Sequence, residues 1–123
     1  MPRTPALADP RDLLPLPSQD LQVLLTLLDA PLHAYGLAKA VEIQPGGVRL
    51  EIGSLYRILA RLSTVGVIEG FDPAADAEGH EARRRYYRIT TFGRRVAEAE
   101  IARLQLVLRH ARRHKLSPAR GGR

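Results

Sequence analysis

Residues 52–66 constrain this chain more than any other stretch. Ile52, Leu55, Leu59, Leu62 and Val65 recur at three- and four-residue spacing, so as a helix they share one side and leave the other polar. Gly66 follows where a helix C-terminus calls for the left-handed conformation that glycine adopts without steric cost. Beyond it the helical period is lost. Val67 to Asp72 reads as a strand, Pro73 to Ala82 as a polar loop and Arg83 to Ile89 as a β-rich return strand. A one-sided helix tied by glycine to a hairpin must bury its stripe against other elements.

The preceding residues supply them. Ser18 offers an N-cap, and Leu21, Leu24, Leu25 and Leu28 follow the spacing of one helical face, predicting a first helix that ends near Asp29. Pro31 breaks the chain. Leu37, Ala40 and Val41 mark a second helix over about 35–44, and Pro45, Gly46 and Gly47 force a turn before the third helix opens at Glu51 or Gly53. After the hairpin, Thr90 or Thr91 caps a last helix running to about Lys115. Its Ala97, Ile101, Leu104, Leu108 and Ala111 step by four, three, four and three, a heptad-like seam. At 1.5 Å per residue such a helix is on the order of 35 Å long, more than so small a fold can cover, which predicts burial against a second copy.

The expected architecture is therefore mainly α with a small β-hairpin: a winged helix-turn-helix followed by a long C-terminal dimerisation helix. Its parts are a flexible arm over 1–17, rich in proline (Pro2, Pro5, Pro10, Pro15, Pro17), a winged-helix domain over 18–90, the dimerisation helix over 91–115 and a disordered tail over 116–123. The length of 123 residues suits one small domain and leaves no room for a multi-lobed catalytic cleft. The chain has no cysteine, which excludes structural disulfides, thiolate metal sites and cysteine nucleophiles. No apolar run approaches the ~18 residues of a membrane span, and no secretory leader opens the sequence, so a soluble, cytoplasmic protein is expected.

Charge points to a partner. The net charge is +6, and from Arg83 onward thirteen Lys or Arg face only Glu98 and Glu100, so that part carries +11 and residues 1–82 carry −5. A basic balance of this kind favours a polyanion. On the third helix Ser54, Arg57, Arg61 and Thr64 occupy the side opposite the apolar stripe, and these types suit reading of base edges and phosphates in a DNA groove. Gly53 and Ser54 stand at the helix N-terminus, where free N–H groups and the helix dipole attract phosphate. On the return strand, alternation puts Tyr87 and Ile89 in the core and Arg84, Tyr86 and Arg88 on the outer face, within reach of the sugar-phosphate rail. The loop acids Asp72, Asp76, Glu78 and Glu81 argue against insertion of the loop tip into a groove.

Three segments, "LTLLDAPLHAYGLAKAVE", "GSLYRILARLSTVGVIE" and "RRRYYRITTFGRRV", resemble the PadR family of bacterial transcriptional regulators over roughly 21–112. The resemblance aligns the family's His, small residue and Tyr with His33, Ala34 and Tyr35, and its Gly, Ser or Thr, Leu, Tyr with Gly53, Ser54, Leu55 and Tyr56. It implies that Tyr35, Ser54 and Tyr56 lie at the DNA backbone or groove edge and Leu55 in the core. Where the family commonly has Pro after the Leu-Tyr pair, this chain has Arg57, so base preference is not transferable. The single C-terminal helix is similar to that of short family members, which pair through it, with helix one of the partner, as two-fold dimers. The dimer residues so expected are Leu21, Leu24 and Leu28 with Ala97, Ile101, Leu104, Leu108 and Ala111. The resemblance also implies a repressor that an effector releases from DNA.

With no aromatic residue in helix one and only Phe92 in the last helix, an effector pocket at the interface would be aliphatic, lined by Leu24, Leu28, Leu104 and Leu108, so a small apolar effector is the one expected. The same leucines would equally fill the interface without any effector. His110 and His114 are four residues apart, a spacing that can clamp a metal, but the surrounding Arg109, Arg112, Arg113 and Lys115 repel a cation; no metal and no cofactor are expected. His33 reads as a turn or capping residue. No nucleophile, base and acid arrangement emerges, so the chain is not expected to be an enzyme. The expected function is a sequence-specific DNA-binding regulator, a repressor acting as a homodimer on a pseudo-palindromic operator. The alternative is a winged-helix module that binds protein and not DNA. RNA binding is weaker still, since no aromatic platform for stacked single-stranded bases is evident.

Overall fold

The computed structural model describes residues 8–73, 85–116 and 118. Four helices and a three-stranded sheet follow in the order α1 (Ser18–Leu27), β1 (Leu32–His33), α2 (Ala34–Ile43), α3 (Ile52–Thr64), β2 (Ile68–Phe71), β3 (Tyr86–Ile89) and α4 (Thr91–Arg113), preceded by a 3-10 turn at Pro10–Leu13. The core lies where α1, α2 and α3 converge, with Leu24, Leu37, Val41, Leu55 and Leu59 essentially removed from solvent, and α4 closes it with Val96 and Ala97. The sheet is antiparallel in the order β1-β3-β2, with Ile68 opposite Ile89, Gly70 opposite Tyr87 and Leu32 opposite Tyr87 on the face that meets the core. Tyr87 and Ile89 pack against the core as their alternation requires.

The stop after α3 is built as its sequence dictates. Gly66 takes φ +83°, its N–H bonds the Ser63 carbonyl at 3.1 Å, and the Val67 N–H bonds the Leu62 carbonyl at 3.1 Å, the paired bonds of a Schellman ending. From there the Val67 carbonyl accepts the Thr90 N–H at 3.0 Å while the Thr90 hydroxyl donates to the Gly66 carbonyl at 2.7 Å. The same hydroxyl oxygen accepts the Gly93 N–H at 2.9 Å, so Thr90 caps α4 and ties it to the end of α3. His33 does the equivalent for α2, its Nδ1 accepting the Gly36 N–H at 3.1 Å.

Several expectations are corrected. Residues 8–17 of the presumed flexible arm are packed: Leu13, Leu14 and Leu16 lie against the core. Their leucines, interleaved among prolines too closely spaced for a long helix, still bury apolar surface. Residues 1–7 lie outside the described residues. Ser18 is the first helical residue and not the cap; Pro17 holds that position and makes no side-chain bond, and its carbonyl accepts the Leu21 N–H. The strand β1 was not expected, because two residues carry no period; they join the sheet only because His33 and Leu32 pair with Tyr86 and Tyr87. Leu24, expected at a dimer surface, is completely buried in its own chain, and Ala97 nearly so, since α4 packs on α1 here. At the far end Lys115 takes φ +63° and the Leu116 N–H bonds the Ala111 carbonyl, so Leu116 closes α4 and does not start a free tail. Of the rest of that expected tail, all but Pro118 lie outside the described residues.

One buried charge fastens the packed N-terminal segment. Glu100, on α4 and 1 % exposed, accepts two bonds from Arg103 (2.7 and 2.9 Å) and the Leu16 N–H (3.2 Å). The Arg103 bonds hold its carboxyl below the usual glutamate range, burial works against them, and the Leu16 N–H adds to the lowering. Because the folded state favours the charged form, its contribution is complete above the unfolded value of about 4.5 and is lost as pH falls through the lower folded value. Glu100→Ala is expected to cost roughly 2 kcal/mol and to release residues 8–17 to proteolysis. Urea melts at pH 7 and pH 3 check this: the gap between wild type and variant should shrink at the lower pH, and an unchanged gap would contradict it.

Candidate nucleic-acid interface

The outward side of α3 follows from what its inward side buries. Leu55, Ile58, Leu59 and Leu62 are buried, so Gly53, Arg57, Ala60 and Thr64, spaced four, three and four, run along the opposite line. Ser54 and Arg61 stand on one flank, and Tyr56, 49 % exposed, with Ser63 on the other. The sequence reading of a stripe through Ser54, Arg57, Arg61 and Thr64 is thus turned toward the Ser54 flank of the true face, because Ile58 was not counted among the buried residues. Ala60 and Ser63 belong to the outward surface and were missed; once Ile58 is assigned to the core, the helical period places both there.

The N-terminus of α3 is open. Glu51 makes no side-chain cap, the first backbone bond runs from the Leu55 N–H to the Glu51 carbonyl at 2.9 Å, and the Ile52, Gly53 and Ser54 N–H groups have no partner among the described residues. A methyl group on Gly53 would meet no atom within 4 Å, and its backbone is ordinary helix. Neither packing nor conformation requires glycine there, although glycine disfavours a helix by about 1 kcal/mol relative to alanine. Close approach of an external backbone is the remaining physical reason for it. Arg57 is exposed and its Nη2 donates to the Ser54 hydroxyl at 3.2 Å, which lays the guanidinium along this end of the helix.

Two of the expected arginines are differently placed. The Arg61 Nη2 donates to Asp20 Oδ1 at 2.7 Å, and Asp20, on the first turn of α1, is only 3 % exposed. Arg61 remains half exposed, but its guanidinium leans toward α1 and away from the centre of the outward face. Arg88 donates to Glu69 at 2.7 Å across the β2–β3 pair and lies 4.2 Å above the Phe71 ring. The Glu69 contact follows from the strand register; Asp20 gave no signal, since a lone acid in a first helical turn reads as a dipole partner. Tyr86 does face outward, edge-on to His33 with ring centroids 5.3 Å apart and 6.1 Å from Phe71. Tyr35, in the first turn of α2, is 68 % exposed. Arg84 and the loop acids Asp76, Glu78 and Glu81 lie outside the described residues.

α3 thus presents an open N-terminus with Arg57 beside it and Tyr56 exposed on its flank, while Tyr35 on α2 is exposed and Tyr86 on β3 half-exposed. Residues 23–99 match the model of the transcriptional regulator PadR-like family. The chain belongs to that family. Members of the PadR-like family are transcriptional regulators and not enzymes. The chain is 37% identical over 78 residues to an uncharacterized 37.1 kDa protein of a Streptomyces fradiae transposon, a match that takes in 63% of this chain and 20% of that protein. Its fold is similar to a PadR family transcription regulator from Clostridium difficile (TM-score 0.69, 20% identity, 81% of this chain and all of that one). It is also similar to one from Eggerthella lenta (TM-score 0.65, 24% identity, 89% and 87% covered) and to a mutant of MarR from E. coli (TM-score 0.66, 20% identity, 88% and 71%). The chain thus carries the winged-helix fold of the PadR-like transcriptional regulators, and it spans 20% of the length of the curated relative it matches.

Gly53 gives this reading a sharp test. Gly53→Ala should raise stability by up to about 1 kcal/mol and yet weaken DNA binding, because the added methyl stands where the duplex backbone must come. Thermal melts and fluorescence anisotropy on the same preparation measure both; stability and affinity rising together would contradict a DNA contact at Gly53.

Proposed function

We propose that this chain is a repressor that acts in the cytoplasm as a homodimer on a pseudo-palindromic operator. The open N-terminus of α3, with an exposed glycine that intrachain packing does not require, carries the proposal. Each α3 enters a major groove, Arg57 reads a base or anchors its phosphate, and Tyr35, Ser54, Tyr56 and Tyr86 meet the flanking backbone. Arg61 and Arg88 act as secondary contacts that must first loosen from their carboxylates. Two-fold symmetry sets the half-sites about one helical turn, ~34 Å, or a multiple apart.

The dimer is supported by the outer half of α4. Ile101, Val107 and Leu108 are exposed, Leu104 is half-buried, and the helix continues well past the last residue it buries, Glu100. Beside it an apolar groove of about 270 Å³ runs between α1 and α4, lined by Leu25, Leu28, Ala97 and Ile101 among others. A partner's α4 laid against this groove would cover Leu28 and Ile101, and a small apolar effector has its natural place in whatever space the two copies leave. Loss of Leu24 from the expected contact set leaves Leu21 and Leu28 on α1, to which the groove adds Leu25.

The alternative, a winged-helix module that binds protein and not DNA, draws on the two arginines already neutralised by Asp20 and Glu69. Anisotropy titrations on duplex fragments from upstream of the protein's own gene separate the readings. Arg57→Ala is expected to cost about 1–3 kcal/mol of binding and to relax sequence preference if it reads a base, and absence of binding at low salt would favour the module. Leu108→Asp places a charge on a surface exposed in the single chain, so the fold should survive while the dimer dissociates at micromolar concentration. Sedimentation velocity checks it, and a variant that still sediments as a dimer would refute pairing through α4.

A further inference from the structure

A second cavity, away from the α4 groove, reaches the recognition helix from behind. It holds about 270 Å³ between the N-terminal segment and the C-terminal half of α3, with walls from Leu13, Leu16, Leu62, Val65 and Val67. Asp20 and Arg61 are its polar members. Asp20 is 3 % exposed and its Oδ1 is bound by Arg61; its Oδ2, which no described donor binds, keeps some contact with solvent and is open to a further donor. An apolar chamber thus ends on a carboxylate with one oxygen unused. A carboxylate can only accept, and a buried one is stabilised most by a donor that also carries positive charge.

We infer that this cavity is a binding site for a small alkylamine, whose ammonium bonds Asp20 Oδ2 while its hydrocarbon chain occupies the space between Leu13, Leu16, Val65 and Val67. A carboxylic acid of the same length is excluded because its anion would face Asp20 in an apolar setting, and a neutral alcohol brings a donor without the charge. The ammonium places a second cation on the carboxylate that holds Arg61. Repulsion between the two weakens the 2.7 Å hold and leaves the guanidinium to find another anion. On the DNA-binding reading proposed above, that anion is a phosphate beside α3, so the amine strengthens operator binding and acts as a corepressor.

The site is tested without DNA and its coupling with it. Calorimetric titration of the full chain with pentylamine, pentanol and pentanoate at matched ionic strength should give binding in the order amine, alcohol, acid. Asp20→Asn should weaken pentylamine by roughly tenfold or more, the loss of a charge-assisted bond. Leu13→Trp, which fills the chamber and leaves Asp20 in place, should abolish it, and this variant serves if Asp20→Asn does not fold. Equal binding of pentanoate, no heat from pentylamine at millimolar concentration, or undiminished binding in both variants overturns the site. With operator DNA, saturating pentylamine should tighten binding by about fivefold or more in the wild type and leave Leu13→Trp unaffected. Amine that binds the chain and leaves DNA affinity unchanged overturns the coupling. A chain that binds amine and no DNA at all overturns the coupling and the DNA reading but not the site.

Discussion

The one-sided burial of α3 governs the rest of the molecule. Leu55, Ile58, Leu59 and Leu62 leave water by packing into the core against α2 and β2, and once they do, the rotation of the helix about its axis is set. That rotation decides that Gly53, Arg57, Ala60 and Thr64 look outward. It also decides that Arg61, one step round the helix, finds the buried Asp20. The wing inherits its position from the same source, because the Schellman ending at Gly66 and the Thr90 bonds fix both the start of β2 and the start of α4 relative to α3.

Much of this was legible in the sequence because it is local. The apolar period of α3, the glycine that stops it, the threonine that caps α4 and the alternation of Tyr87 and Ile89 are each properties of a few neighbouring residues, and each stands in the structure where the pattern put it. What was not legible depends on residues far apart in the chain. Strand β1 exists only by pairing with β3, the N-terminal leucines are ordered only by the core and by Glu100, and Asp20 matters only because Arg61 arrives 41 residues later. Ile58 lies next to Ser54 and Arg61 round the helix, so counting it as buried turns those two residues from the centre of the outward face to its flank.

The candidate interface illustrates how charge counted along a chain differs from charge available at a surface. The third of the chain from Arg83 onward is strongly basic, yet Arg88 is bound to Glu69 and Arg103 to Glu100, and on α3 Arg61 is bound to Asp20. What the outward face of α3 retains is Arg57, an uncapped helix N-terminus and hydroxyl groups, so attraction to a duplex there relies on backbone N–H groups and dipole as much as on full charges. The basic end of α4 lies at the far terminus of a helix whose outer half is exposed. Its charges complement the helix dipole there, and the apolar residues among them supply the surface proposed for the second copy.

The claim that α3 meets DNA end-on through its open N-terminus is tested most directly by NMR. Backbone amide shifts would be followed as an operator duplex is added to the isotopically labelled chain. The largest changes are predicted at residues 52–57, with Tyr35 and Tyr86 next and the amides of the α1–α4 groove little moved. Changes confined to α4, with 52–57 silent, would contradict the account.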